Sequence, residues 1–348
     1  MISVFYQVMA ENQELLTKKL RNYSIKYVKI SEDDMSNSTS LVKNYIEDQV
    51  MKYCREKSTL PILRLEFTGS VYERLKTEAA DEVDVMVVLQ TNRSEVVVEK
   101  DSGVPGYARL KARSDSKFCT RDYASAEGYM IPERLRNGWF YGLVTKAVNN
   151  FSAPNVNISV RTHGPAVQLD IVKKGTNQKL LSADLVLCFC FQVGSDVSYY
   201  VAKPYTGRRQ VSNRDLLWRQ SFSLQEKGIL QYMDRDGGCR HELLRIVKTI
   251  VNREPTSLGR LESYHLKTAF MHYMKKVGQG SFDKNALAKH FRGFVGTLQS
   301  YLERGNLPHY WLSNVNLLED INPMVIKNMA DRLRRILNSE VEMNKILA

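Results

Sequence analysis

Glu82 and Asp84 stand two residues apart in an apolar run, residues 81–89, and a Gly-Ser pair, Gly69-Ser70, follows an earlier apolar run from Ile62 to Phe67. Successive side chains of an extended chain alternate faces, so Glu82 and Asp84 point one way while Val83, Val85 and Val87 fill the other. Two carboxylates in such a strand are costly unless a counter-charge offsets them, and Mg²⁺ held between oxygen ligands and substrate phosphates is the usual one. The chemistry implied is transfer from a nucleoside triphosphate. Gly69 lets backbone approach a triphosphate without a Cβ clash, and Ser70, at the start of a short helix, can offer its hydroxyl and N–H to phosphate oxygens. The twelve-residue step from Ser70 to Glu82 suits a helix returning into the next strand.

A metal site of this kind needs a third oxygen ligand. Asp184, in Leu-Ser-Ala-Asp-Leu-Val-Leu, and Asp170, in Gln-Leu-Asp-Ile, are both available from the residues alone. Three carboxylates on neighbouring strands can hold two cations, one lowering the pKa of an attacking hydroxyl, the other neutralising charge on a leaving pyrophosphate.

The elements that would position these groups are legible from periodicity. Ser31, with Asp34 three residues on, forms a capping-box start to a long amphipathic helix through Leu41, Val42, Tyr45, Ile46, Val50, Met51 and Cys54. Strands are expected at Ile62 to Phe67, Val83 to Leu89, Glu95 to Glu99, Tyr107 to Lys111, Val156 to Arg161, Ala166 to Val172 and Leu180 to Phe191, with a helix from Pro132 to Asn149. Helical spacing then takes over at Trp218 to Met233, Glu242 to Val251, Leu258 to Met274, Asn285 to Leu302 and Pro323 to Leu337. The class is α+β, and the polar cluster from Lys203 to Asn213 suggests a hinge dividing residues 1–202 from a helical lobe, 203–348.

Composition sets the bounds. The 348 residues, 43% hydrophobic, can bury a sizeable core and suit two lobes. A net charge of +12 suggests a polyanionic partner. Five scattered cysteines, Cys54, Cys119, Cys188, Cys190 and Cys239, argue for reduced thiols rather than a disulfide framework. No apolar run approaches the ~20 residues of a membrane span. A soluble, cytoplasmic protein is expected.

The order of apolar strand, Gly-Ser and Glu-x-Asp resembles the nucleotidyltransferase superfamily that includes DNA polymerase beta, poly(A) polymerases and oligoadenylate synthases. A closer resemblance is carried by Thr68 to Leu89 (TGSVYERLKTEAADEVDVMVVL), Gly164 to Leu169 (GPAVQL), Ser182 to Leu187 (SADLVL), Leu217 to Leu230 (LWRQSFSLQEKGIL) and Ser263 to His272 (SYHLKTAFMH). These look like the matching segments of cyclic GMP-AMP synthase, in the same order, and ISEDDMSNSTSLVKNYI resembles that family's spine helix. The chain is identified as a member of the cGAS-like receptors.

The resemblance implies a bilobed nucleotidyltransferase fold and selects Asp184 over Asp170, so that Glu82, Asp84 and Asp184 would bind two Mg²⁺, with Mn²⁺ as a substitute. Gly69 and Ser70 would take the triphosphate, and Arg219, Ser221, Lys248, Ser263, Tyr264 and, more loosely, Lys203 would contact nucleotide. ATP and GTP or other nucleoside triphosphates would be joined into a cyclic dinucleotide for innate immune, antiviral signalling through the receptor STING. The alternatives are a silent adaptor of the same fold and a linear oligonucleotide-forming transferase. Where the vertebrate DNA sensor inserts a zinc ribbon, this chain has only Cys239 and His241, short of the four ligands of structural zinc, and no structural zinc is expected. That departure points to double-stranded RNA as activator, gripped through phosphates and 2′-hydroxyls by Lys18, Lys19, Arg21, Lys26 and Lys29. A second basic set, Arg240, Arg245, Arg253 and Arg260, would extend that face. A ligand-induced homodimer and no membrane partner are expected.

Overall fold

Ser31 accepts a hydrogen bond from the backbone N–H of Asp34 at 3.0 Å, and this cap opens the helix expected there. It runs through Glu32–Leu41, widens to a π-helix over Val42–Met51 and closes as an α-helix over Lys52–Lys57. Val42, Ile46, Val50, Met51 and Cys54 form its buried side. This computed structural model describes residues 2–92, 94–100, 103–193, 195–278 and 282–348. It resolves into two compact units, one of Ser31–Glu73 and Ala79–Gly228, the other of Met1–Ile30, Arg74–Glu78 and Ile229–Ala348.

The unit holding the capped helix is built on a mixed sheet. Among the described residues its strands are β1 (Ile62–Thr68), β2 (Glu82–Leu89), β3 (Val96–Glu99), β4 (Tyr107–Ala112), β5 (Val156–His163), β6 (Ala166–Lys173), β7 (Lys179–Val193), β8 (Asp196–Val201) and β9 (Leu217–Ser221). Their order is β1-β2-β7-β8-β9-β4-β3, with β6 also beside β7 and β5 outside β6. Among the described residues only β2 and β7 pair in parallel. One face carries Val83, Val85, Val87, Ala183, Leu185, Leu187, Phe189 and Trp218, and these pack with Ile46, Val50, Leu135, Phe140 and Val144 into the unit's main core. Burying that face fixes the register, because a one-residue slip would turn every carboxylate of β2 and β7 inward.

The other unit is helical. Ile2–Tyr23, Arg240–Arg253, Ser263–Val277, Leu287–Glu303, Pro323–Asn338 and Glu340–Ile346 are its longer helices. Leu20, Ile246, Phe270, Phe291, Phe294, Leu298 and Leu333 are among the side chains of its core.

Three local expectations are corrected. The helix expected over Trp218 to Met233 begins only at Ser223, since Leu217–Ser221 forms β9 between β8 and β4. Trp218 reads as helical by spacing, yet in the fold its side chain is fully buried on the sheet core and its indole N–H donates to the Met130 carbonyl at 3.0 Å. Tertiary strand pairing outweighs the local pattern there. Asp196–Val201, where no strand was expected, is β8. The helix expected between Ser70 and Glu82 is a single turn, Gly69–Tyr72, after which Arg74 and Glu78 adopt positive φ of 59° and 71° and end any helical continuation.

Candidate functional site

Strand register assembles the acidic part of the site. Asp84 of β2 lies directly beside Asp184 of β7, Glu82 beside Ser182, and Thr68 of β1 across from Asp84. Partners in register share a face, so Glu82, Asp84 and Asp184 project from the side of the sheet opposite the main core. Asp184, its side chain 13% exposed, accepts from Gln168 Nε2 at 2.7 Å and has His163 Nδ1 3.5 Å away. Burial raises the Asp184 carboxyl above its ordinary value; Gln168 and His163 pull it down, and nearby Glu82 adds to the rise. Asp170 occupies the next strand out and is taken by Arg161 Nε at 2.8 Å and Ser182 Oγ at 2.5 Å. Its register neighbour on β7 is Ser182, not Asp184.

Gly69 is explained by its neighbour. It has φ +79°, and a Cβ built there would lie 2.0 Å from Asp84 Oδ2. Ser70 follows at the start of the single helical turn, and the Glu73 N–H donates to the Gly69 carbonyl at 3.0 Å. Gly69→Ala must therefore both strain the backbone and displace the Asp84 carboxylate. A loss of about 1–2 kcal/mol is expected by thermal or urea unfolding, and a loss no larger than that of Gly142→Ala, a helical glycine with open space at its Cβ, would contradict this.

The same face carries further predicted residues. Val201 of β8 pairs with Arg219 of β9, Tyr199 pairs with Ser221, and Tyr107 of β4 lies on the other side of Arg219. Cys188 of β7 pairs with Val201, which continues the row from the carboxylate strands. Arg219 and Ser221 are half-buried, Ser221 Oγ lies 3.1 Å from Ser223 Oγ, and Lys203 is exposed just past β8. The fold thus brings Gly69, Ser70, Glu82, Asp84, Asp184, Arg219 and Ser221 to one side of one sheet.

Lys248, Ser263 and Tyr264 belong to the helical unit. Lys248 Nζ donates to the Leu75 carbonyl at 3.1 Å, Ser263 opens the helix Ser263–Val277, and the Tyr264 hydroxyl lies 2.9 Å from His309 Nε2. Of the basic residues on the first helix and its exit, Lys18, Arg21, Lys26 and Lys29 are exposed and Lys19 is half-buried. Lys19 Nζ donates to Asn344 Oδ1 at 2.7 Å, Arg21 Nη2 to the Lys284 carbonyl at 3.2 Å and Lys26 Nζ to the Ala348 carbonyl at 3.0 Å.

The second basic set is not one surface. Arg240 is 3% exposed and pairs with Asp236 at 2.7 Å and Asp234 at 3.4 Å, so its charge is spent inside the fold. Arg245 is half-buried with Nε enclosed and burial lowering its pKa, while the Arg253 guanidinium lies 3.6 Å from the Tyr27 ring centroid. Arg253 and Arg260 are both exposed, Arg253 against the Tyr27 ring. Cys239 is buried, its thiol pushed up to about 12 by burial, and it donates to the Asp283 carbonyl.

Two neighbours of Asp184 escaped the sequence. Gln168 is 4% exposed and His163 ends β5. Alternation within Gln-Leu-Asp could have placed Gln168 on the face of Asp170; only strand pairing places it on Asp184. As a donor set, three carboxylates on one face of adjacent strands, one with a raised pKa beside a second acid, fit hard divalent cations. Among the described residues no group of three or more acidic, His or Cys side chains is placed to hold a metal ion.

Residues 71–232 match the Mab-21 protein nucleotidyltransferase domain, and residues 239–335 the Mab-21 protein HhH/H2TH-like domain. The chain is 52% identical over 347 residues to cyclic GMP-AMP synthase-like receptor 3 of Stylophora pistillata, covering 97% of this chain and 100% of that protein. It is 26% identical to a cyclic GMP-AMP synthase-like receptor of Aethina tumida, over 80% of this chain and 75% of that one. Mitochondrial dynamics protein MID51 of Danio rerio is also 26% identical, over 78% of this chain and 58% of that protein.

Proposed function

Because the chain belongs to the cyclic GMP-AMP synthase-like receptor family of nucleotidyltransferases, we propose that it joins two nucleoside triphosphates into a cyclic dinucleotide messenger when it binds nucleic acid, double-stranded RNA above all. The observation that carries the reading is the register of Asp84 against Asp184, with Glu82 on the same face and Gly69-Ser70 at the end of the adjoining strand. Two Mg²⁺ held by Glu82, Asp84 and Asp184 would activate the attacking hydroxyl and offset charge on the pyrophosphate. Ser70 and the backbone at Gly69 would hold the triphosphate, while Arg219 and Ser221 would orient the nucleotide along the same face. Lys203, Lys248, Ser263 and Tyr264 would add nucleotide contacts. A 2′- or 3′-hydroxyl attacks the α-phosphate of a second triphosphate, pyrophosphate leaves, and the linear product turns over and cyclises by the same displacement. RNA binding, at a surface that includes Lys18, Lys19, Arg21, Lys26 and Lys29 and with dimerisation as its accompaniment, would bring the carboxylates and the Gly69–Lys76 segment into line. The role is innate immune, antiviral signalling in the cytoplasm through STING. No helix among the described residues is long and apolar enough to cross a membrane.

A second reading is a scaffold of the same fold without turnover. The test is incubation with labelled ATP, GTP, CTP and UTP and Mg²⁺ or Mn²⁺, with and without long double-stranded RNA, followed by phosphatase and chromatography. A phosphatase-resistant dinucleotide that needs RNA and is lost in Glu82→Ala/Asp84→Ala supports the synthase. A phosphatase-sensitive ladder supports a linear transferase, and no product with RNA or DNA supports the scaffold.

A further inference from the structure

Helix Ser223–Leu230 begins two residues beyond Ser221, the last residue of β9. Its Leu224 packs on Met86, Val88, Cys188, Tyr199 and Val201, a small apolar patch on the site face of β2, β7 and β8. One turn on, Lys227 Nζ donates to the Phe67 carbonyl at 2.8 Å and lies 5.5 Å from the centroid of the Tyr72 ring. The Phe67 and Tyr72 rings themselves pack 5.2 Å apart. Phe67 and Tyr72 are the residues on either side of Thr68-Gly69-Ser70-Val71. A single ammonium therefore sits at the neck of the Gly-Ser turn, bonded to one post and over the face of the other.

β1 is the outermost strand on that side of the sheet, with pairing to β2 alone. A charge-assisted hydrogen bond from a neighbouring helix gives its end a second anchor. The turn it anchors needs one, because Gly69 is held at φ +79° hard against the Asp84 carboxylate. A solvated helix lysine would make neither contact.

We infer that Lys227 is a positioning residue for the Gly69-Ser70 turn and that helix Ser223–Leu230 is a strap tying that turn to Arg219 and Ser221. The inference deepens the nucleotidyl-transfer reading and rests on it: the part of the site assigned to phosphates and the part assigned to the rest of the nucleotide then move together rather than independently.

Amide hydrogen exchange on the whole chain tests this without requiring turnover. In nucleotide-free Lys227→Met, exchange in residues 68–73 is expected to rise about tenfold, with the centres of β2 and β7 unchanged, while Lys227→Arg, which keeps a donor, stays within about twofold of wild type. Unchanged exchange at 68–73, or a rise spread over the whole sheet, would overturn the positioning role. Should Lys227→Met fail to fold, Tyr72→Leu removes the ring post and is held to the same criterion. Added ATP should protect 68–73 and 217–221 in wild type, and Lys227→Met should lose protection in both. Loss in 68–73 alone would overturn the strap. An unprotected wild type would overturn the nucleotide reading and the strap with it, leaving the neck contact to the nucleotide-free result.

Discussion

Asp184→Asn is expected to lower dinucleotide formation by at least about 10³-fold while leaving the nucleotide-free fold as stable as wild type or slightly more so. The first half follows from the proposed role: a neutral amide cannot replace a carboxylate between two cations. The second half comes from burial. A carboxyl whose folded pKa is raised is most at ease protonated, so its share of stability is present below the ordinary carboxylate value and is lost as pH rises through the raised one. Ionising Asp184 in the fold carries a burial cost that asparagine does not bear. Asparagine can still accept the Gln168 amide through Oδ1, so the local hydrogen bond survives. Paired unfolding curves at pH 7 and near pH 3.5 check the sign: any advantage of Asp184→Asn should shrink toward the acid side. A variant markedly less stable than wild type at pH 7 would show that the ionised group is a net structural contributor instead.

Arg240→Met is expected to cost about 3 kcal/mol of stability, the largest loss foreseen for a residue outside the proposed chemistry. The Arg240 side chain is 4% exposed, and its removal strands buried charge. Hydrogen bonds from the Arg240 guanidinium hold the Asp236 carboxyl below the ordinary range, and that hold goes with the side chain. Asp234 keeps the His241 ring and the backbone N–H groups of His241 and Arg240, which hold it down against burial. Such a depressed carboxyl contributes stability above its unfolded pKa, and the contribution fades as pH falls through the folded value. The penalty for Arg240→Met should therefore be full at pH 7 and smaller under strongly acidic conditions. The Arg240 guanidinium also stacks 4.5 Å from the Phe282 ring centroid, so Arg240→Lys should recover only part of the loss. A cost below about 1 kcal/mol for Arg240→Met in urea unfolding would place the residue among ordinary surface arginines and reopen a role for it in ligand binding.

These two residues mark the boundary between what local sequence determines and what it leaves to the fold. Alternation in residues 82–89 was enough to put Glu82 and Asp84 on one face, because side-chain direction in a strand has period two and needs no partner. The capped helix from Glu32 was likewise legible, since Ser31 and Asp34 close the cap between residues three apart. Gly69 was singled out for close backbone approach to a triphosphate, while its positive φ and its closeness to Asp84 came from the fold; the family followed from ordered motifs along the chain. The choice between Asp184 and Asp170 was different in kind. Both sit in apolar strands with the same alternation; the family resemblance favoured Asp184, and the parallel pairing of β2 with β7 makes it the neighbour of Asp84. Trp218 could be read with helical spacing until β8 and β4 offered hydrogen bonds on both sides of its strand. Arg240 could be counted as surface charge until burial against Asp234 and Asp236 removed it from the surface. Periodicity and capping act over a few residues and are written locally; strand register and burial depend on segments as much as a hundred residues apart, and these needed the tertiary structure.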